Sequence, residues 1–316
     1  MENKQTKLFS IVIPNWNGSK LLQGCLKSLR NQSFDNFEII VVDNGSSDDS
    51  VSFVEKYYPE VKILELKKNL GFAVAVNRGV KESRAELIAL LNNDAEADRD
   101  WLLHIKAAAE KHSEASFFAS KILDYKDRSI IDSCGDGLNW SGRAYNIGKG
   151  QRDGAKYQKS KFVFGACGAA SIYKKEIFET VGYFDEDFYM YLEDVDFSLR
   201  AGLLGLRCLF VPEARVYHLG SATTGASSPF IFKYITVNRF NLIYKNFPWQ
   251  KILTNCPRII LSELRFFLAA LRHFFIKEYF WAIWRFIRLA PDMRQKRKNI
   301  QKSRIATLAE LSRVIG

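Results

Sequence analysis

The sequence predicts an α/β fold, with a mainly parallel sheet flanked by helices and a C-terminal amphipathic helical extension. Three observations lead there. Strand-like apolar runs and helix-period stripes alternate four times before residue 112, the order that a parallel sheet with crossover helices requires. Each strand-like run ends in a polar, Gly-bearing or acidic segment. Charge is also segregated. Of 46 Lys/Arg and 35 Asp/Glu, 17 and 4 respectively fall from Lys233 onward, so a nearly neutral body carries a basic appendage.

Leu8 to Ile13 is β-rich, and Ser19 to Asn31 puts Leu21, Leu22, Leu26 and Leu29 on one helical stripe. Phe37 to Val42 (FEIIVV) is a continuous apolar run, as in a strand buried on both faces. The polar turn DNGSSDDS follows, with Ser47 and Asp48 as N-cap candidates for a helix to about Tyr58. Val61 to Leu66 reads as a strand and Gly71 to Glu82 as a helix. Leu87 to Leu91 (LIALL) reads as the fourth strand, ending in NND, and Trp101 to Lys111 as a helix. Between Ser129 and Lys161 six glycines and Trp140 loosen the pattern into loop and hairpin. Phe162 to about Gly220 is dense in aromatics and carboxylates, and after Phe230 the chain turns basic, aromatic and helical. The expected division is a body over 1–230, in halves of about 1–115 and 116–230, and a helical region over 231–316.

A hydrophobic content of 47% supports a real core, and 26% charged residues argue against disorder. The five cysteines, Cys25, Cys134, Cys167, Cys208 and Cys256, form no CxxC pair and read as reduced thiols. The N-terminal apolar run is too short and too early broken for a signal peptide. No run of about 18 uncharged apolar residues occurs, so no spanning helix is expected. The absence of GxGxxG after the first strand excludes a dinucleotide fingerprint.

In wound α/β sheets ligands bind at the carboxyl ends of the strands. Those ends are Pro14 to Gly18, Asp43 to Ser47, Asn69 to Gly71 and Asn92 to Asp94. Four polar ends in succession indicate a ligand cleft.

Together these ends resemble glycosyltransferase family 2. The matching stretches are IVIPNWNG, VVDNGSSDDS, NLGFAVAVNRG, LLNNDAE and VGYFDEDFYMYLEDVDFSLRAGLLG, in the family's order and spacing, over roughly residues 8–245. The NLGFA and NND wording and the later YHLGS resemble the rhamnosyltransferase-like branch. The resemblance implies the GT-A fold, a Rossmann-like mainly parallel sheet, with a nucleotide-sugar half and then an acceptor half.

It also implies roles. Asp43 would accept a hydrogen bond from a pyrimidine N–H, with helix capping as the alternative reading. Pro14, Trp16 and Asn17 would line the base pocket, the indole offering a stacking face; core packing is the alternative for Trp16. Asn69 and Gly71 resemble an element near base and ribose. The arginine that many relatives carry seven residues after that Asn is here Val76, with Arg78 displaced by two. Asn92, Asn93 and Asp94 stand where the family has its DxD motif. Asn92 replaces the first Asp, so Asp94 alone carries the carboxylate toward Mn2+ or Mg2+. His218 would be the second metal ligand. Asp194 of the Glu193-Asp194 pair would be the general base, with Glu193 as fallback. Gly168, Tyr191 and Asp196 would shape the sugar and acceptor pocket, although Asp196 and Arg200 also fit an i, i+4 ion pair.

The tail adds a partner. Residues 258–290 mix bulky apolar residues with charges throughout. Arg258, Arg265 and Arg272 share one stripe, and Lys277, Arg285 and Arg288 another. That predicts two amphipathic helices with a phase change near Phe274, suited to an anionic membrane surface. RQKRKNIQKSR adds a polybasic run, worth about 1 kcal/mol per charge near anionic lipid. Packing on the body or a homodimer interface is the alternative use of these helices. No nucleic-acid module accompanies the charge.

The resulting expectation is an inverting, metal-dependent glycosyltransferase at the cytoplasmic face of the cell membrane. Its donor would be a dTDP- or UDP-sugar, with dTDP-rhamnose preferred, and its acceptor a glycan or lipid-linked saccharide. A non-catalytic nucleotide-sugar-binding scaffold subunit is the alternative, resting on Asn92 alone.

Overall fold

A computed structural model describes residues 7–220 and 228–316. Residues 1–6, and Ser221 at the end of YHLGS, lie outside them. The first half contains β1 (Phe9–Asn15), α1 (Ser19–Arg30), β2 (Phe37–Asp43), α2 (Ser50–Tyr57), β3 (Lys62–Glu65), α3 (Phe72–Glu82) and β4 (Leu87–Leu91). All four strands are parallel, in the order β3-β2-β1-β4.

Alternation explains the layers. Ile11 and Ile13 point into the core that Leu22, Leu26 and Leu29 of α1 share. Val12, between them, points into the core beneath Val76 and Val80 of α3. Gly79 lets α3 close on the sheet: a Cβ there would lie 2.3 Å from Val12 Cγ1. The helix after β2 starts at Ser50, later than its sequence suggests. Asp48 Oδ1 accepts the Ser50 N–H, while Asp48 Oδ2 accepts the Ser19 N–H at the start of α1. Ser47 instead donates its N–H to Asn17 Oδ1. The polar turn thus ties two helix starts together before α2 begins.

The second half contains β5 (Ala95–Ala97), α4 (Trp101–Lys111), β6 (Phe117–Asp124), β7 (Ile131–Ser133), β8 (Asp136–Leu138), β9 (Ala144–Asn146), β10 (Lys161–Val163), β11 (Ala170–Lys174), α5 (Ile177–Val181), α6 (Glu193–Leu203) and β12 (Cys208–His218). The sheet runs on from β4 as β11-β6-β12-β10. β11 is antiparallel to both β4 and β6, while β6 and β12 are parallel. The glycine-rich segment forms the β8–β9 hairpin.

The C-terminal region contains α7 (Pro229–Asn246), α8 (Trp249–Thr254), α9 (Cys256–Arg272), α10 (Ile276–Ser303) and α11 (Leu308–Val314). The phase change falls at Phe274, between α9 and α10, with a left-handed φ of 59°. This region shares a core with the body: Leu242, Phe247, Leu311 and Ile315 pack with Leu138, Trp140, Phe188 and Val195. Charges reinforce the join. Lys296 reaches Asp185 and Asp187, and Arg297 donates to the Tyr244 carbonyl. Two members of the polybasic run are therefore turned inward. Among the described residues no helix is long and apolar enough to cross a membrane.

Candidate active site

The cleft is assembled by strand register. β11 enters antiparallel beside β4, pairing Ala170 with Leu91, and the Asn92 N–H donates to the Ala169 carbonyl. Gly168, one residue before Ala169, donates its N–H to Asp194 Oδ2 at 2.8 Å. The end of β4, which bears Asn92 to Asp94, is thereby brought beside the start of α6, which bears Glu193 and Asp194.

On the other flank β5 pairs with β12, setting Ala95 opposite His218. His218 Nε2 lies 3.2 Å from Asp94 Oδ1. His218 Nδ1 lies 2.8 Å from Asp132 Oδ2, and Asp132 also meets Lys149 at 2.9 Å. Burial favours the neutral ring, yet Asp132 and Asp94 outweigh it and raise the His218 pKa to about 9. Burial pushes Asp132 the other way, and His218 and Lys149 overcome it, lowering it to about 2. Asp132 orients the histidine as outer-shell carboxylates orient metal-bound imidazoles. It lies 86 residues from His218 in sequence, and no local pattern marks it.

These residues fit a divalent cation that also binds phosphate. The buried oxygens Asn92 Oδ1 and Asp94 Oδ1 accept no well-aligned hydrogen bond among the described residues. Among the described residues no group of three or more His, Cys, Asp or Glu forms a metal cage. One carboxylate and one imidazole, the latter once its proton is displaced, would hold the ion beside phosphate oxygens and water, a donor set that suits Mn2+ better than Mg2+.

The half-buried Asp194 lies in a trio of carboxyls with the buried Glu193 and Asp136. Burial raises all three pKa values. Asp194 alone of the three has both oxygens held by backbone donors, the Gly168 and Val195 N–H groups at 2.8 Å each. It therefore ionises first, and its charge pushes Glu193 and Asp136 further up. Among the described residues Glu193 Oε2 and Asp136 Oδ2 have no hydrogen-bond partner, so nothing offsets the cost of charging them.

The nucleotide-side residues meet at the other strand ends. Trp16 is 41% exposed and contributes little to the core, while the Pro14 side is half-buried. Asn17 holds a left-handed φ of 49° and braces the Ser46-Ser47 turn. Asp43 is buried, its oxygens accepting from Ser46 N, Ser46 Oγ and Asn15 Nδ2. The cap that its sequence suggested with Ser47 is thus a turn closed on Ser46. Asn69 Oδ1 accepts from Gly71 N, Asn44 Nδ2 and the Tyr189 hydroxyl. Gly71 has φ 92°, and a Cβ there would lie 2.5 Å from the Tyr189 ring. Asn93 donates to Asn15 Oδ1 and is spent on joining strand ends.

Tyr191 and Leu192 hold left-handed backbone immediately before α6. Asn238 of α7 clasps that loop, donating to the carbonyls of Phe188, Met190 and Tyr191 at 2.8, 2.9 and 2.8 Å. Asp196, expected in the pocket, has no exposed surface; it pairs with Arg200, Lys245 and Asn246. Its two oxygens are consumed by packing α6 to α7, and the ion-pair reading of Asp196 and Arg200 describes it.

Comparisons with known proteins agree with this fold. The sequence matches the family described as "Glycosyl transferase family 2" over residues 10–182. An uncharacterized protein of Sinorhizobium fredii is 29% identical over 70% of this chain and 25% of its own length. An N-acetylglucosaminyl-diphospho-decaprenol L-rhamnosyltransferase of Mycobacterium tuberculosis is 24% identical over 70% of this chain and 78% of its own. The chain spans only 25% to 53% of several curated relatives it matches. Among solved structures, GalNAc-T7 with UDP, GalNAc and Mn2+ superposes with a TM-score of 0.61 at 17% identity, over 77% of this chain and 48% of that one. The fold is the GT-A fold.

Proposed function

The chain belongs to glycosyl transferase family 2, and we propose that it is an inverting, metal-dependent glycosyltransferase of cell-surface polysaccharide synthesis. The preferred donor is dTDP-rhamnose and the rival a UDP-sugar; the acceptor is a glycan or lipid-linked saccharide. One observation carries the reading: the β4–β11 register sets Asp94 and the backbone-held Asp194 at one cleft. The rhamnosyltransferase name of one relative supports the sugar, and the UDP in the GalNAc-T7 structure keeps the rival open.

Each group has a task. The open face of Trp16 stacks on the base, and Asp43 accepts the base N–H at the floor of the pocket. Asn69 and Gly71 shape the ribose side. Asp94 and His218 hold Mn2+ or Mg2+, which supplies positive charge against the diphosphate leaving group. Asp194 Oδ2, fixed by Gly168, takes the proton of the acceptor hydroxyl as that oxygen attacks. Burial makes Asp194 a stronger base than an ordinary aspartate. Glu193 and Asp136, protonated beside it, leave a single negative charge at the reacting centre. The loop through Tyr191, clasped by Asn238, frames the acceptor. Asn92, the ground for a scaffold reading, keeps a buried oxygen free for the ribose or a metal-bound water.

The location proposed is the cytoplasmic face of the cell membrane, by peripheral attachment. Supporting it, α9 exposes Leu261, Leu264, Leu268 and Leu271, and Phe274 between the helices is 89% exposed.

The test is calorimetry with Mn2+ and a panel of dTDP- and UDP-sugars, with Asp94→Ala as control. One donor should bind, and lose its affinity in the variant or in chelator. A folded protein that binds none of them would overturn the reading and favour a scaffold.

A further inference from the structure

A cavity of about 780 Å3 lies between α7, α9 and the β8–β9 turn, apart from the cleft at Asp94 and Asp194. That is the size of a small-molecule site. Its walls are mostly apolar, built by Ile231, Phe232 and Ile235 of α7 facing Phe266 and Ala269 of α9, with Ser228 and Ser262 among the polar lining residues. Arg143, Arg258 and Arg265 also line it and are exposed. None of the three meets a carboxylate among the described residues. Trp140 lines the cavity from the body side; its buried Nε1 has no hydrogen-bond partner among the described residues.

An apolar chamber with three uncompensated arginines is complementary to a long-chain lipid phosphate. The apolar share of the walls suits a hydrocarbon chain better than a sugar, and guanidinium groups match phosphate oxygens in pairs. We propose that this cavity takes the lipid-phosphate end of the acceptor, a deeper statement of the transferase reading and dependent on it for the word acceptor. Two connections join cavity and cleft. The β8–β9 hairpin has Asp136 of the carboxyl trio at its start and the cavity-lining Asn139 three residues on, about 10 Å of extended chain. On α7, Ile235 faces the cavity, and Asn238 less than a turn later clasps the loop before Glu193. A lipid phosphate in the cavity presents its saccharide toward Asp194 and bears on the helix that holds the acceptor loop.

The test titrates farnesyl diphosphate into the full chain in chelator, which silences the metal-dependent donor site. Farnesol, inorganic diphosphate and anionic phospholipid vesicles are titrated in parallel, and nucleotide binding with Mn2+ is read separately on every variant. Farnesyl diphosphate should bind once per chain, at least roughly 10-fold more tightly than farnesol or diphosphate, since both walls and arginines contribute. Ala269→Trp fills the chamber and should weaken it by roughly 10-fold or more with nucleotide binding kept. Ala269→Leu, which perturbs the helix less, should fall between. Arg258→Gln with Arg265→Gln should weaken farnesyl diphosphate but leave farnesol unchanged. Equal binding of farnesyl and inorganic diphosphate, wild-type affinity in both Ala269 variants, or uptake by vesicles without saturable binding of the soluble lipid each overturns the proposal. Loss of nucleotide binding alone counts against the transferase reading and leaves the cavity assignment standing.

Discussion

Gly168 donates its backbone N–H to Asp194 Oδ2 at 2.8 Å, and a Cβ on that glycine would stand 3.2 Å from the same oxygen. The hydrogen bond holds the ionised carboxylate, and the missing side chain leaves room for it. Gly168→Ala should therefore displace Asp194 by a few tenths of an ångström. A misplacement of about 1 Å costs about 100-fold, so the expected loss in kcat is roughly 3- to 10-fold, with donor KM unchanged. Asp194→Asn removes the proposed base and should lower kcat by about 100- to 10,000-fold while calorimetric donor binding persists. A rise in donor KM without change in kcat would reassign Asp194 to donor binding.

The same contact sets a pH dependence. Burial raises the Asp194 pKa, and the Gly168 and Val195 N–H groups partly restrain it. Only the ionised form accepts a proton, so kcat should fall on the acid side with a midpoint above the ordinary value of about 3.9. Weakening the Gly168 bond removes a donor to the ionised form. The limb in Gly168→Ala should accordingly move to higher pH; a shift to lower pH would contradict the assignment.

What the sequence revealed and concealed divides along one physical line. Strand and helix positions in the first 111 residues were legible because apolar periodicity is local. So was the break near Phe274, where the arginine stripe changes phase. Asn92 to Asp94, Glu193 and Asp194 were legible because each motif lies in one continuous stretch. The residues that orient them come from elsewhere. Asp132 reaches His218 from β7, Asn238 reaches the Tyr191 loop from α7, and Asn44 bridges to Asn69 across 25 residues. The antiparallel entry of β11, which unites the two acidic motifs, follows from pairing rather than from its own residues. Asp196 looked open because its helix begins in the cleft; its burial depends on Lys245 and Asn246, 49 and 50 residues away.

Asp132 gives the next expectation. It holds His218 by a 2.8 Å contact and does not touch Asp94 in any described interaction. Removing an orienting partner behind a metal-bound imidazole typically costs 10- to 100-fold in metal affinity, roughly. Asp132→Asn should raise the Mn2+ concentration that half-saturates nucleotide binding by about that factor. Thermal stability in chelator should not move. A loss of stability without metal would show that Asp132 supports the fold rather than the histidine.

Asp185 ties the C-terminal helices to the body through Lys245 at 2.6 Å and Lys296 at 2.5 Å. Burial opposes its ionisation, but the two lysines overcome it and hold its pKa well below the usual range. Its contribution is therefore complete above the unfolded value of about 3.9 and is lost as pH falls toward the depressed folded value. Breaking a buried pair from one side costs about 3–5 kcal/mol. Asp185→Asn should lower the urea midpoint at pH 7 by an amount equivalent to about 3 kcal/mol. The gap between variant and wild type should narrow as the pH is taken below about 4. A gap constant with pH would mean that the ion pairs contribute nothing net.

The exposed face of α9 makes the last expectation. Leu264 and Leu268 are 50% and 53% exposed, one turn apart, and Leu271 and Phe274 continue the same apolar surface. Lys296 and Arg297 are engaged with the body, so the basic run offers fewer charges to lipid than its sequence suggests, with Arg294, Lys298 and Lys302 still exposed. Attachment should depend on apolar insertion more than on charge. Burying a leucine contributes about 1.5–3 kcal/mol, so Leu264→Glu with Leu268→Glu should weaken sedimentation with anionic vesicles by at least roughly 10-fold. Thermal stability should change little, because both side chains face outward. Raising salt should weaken wild-type attachment only modestly. If the double variant sediments like wild type but changes the oligomeric state in solution, the face joins two copies of the chain instead of meeting the membrane.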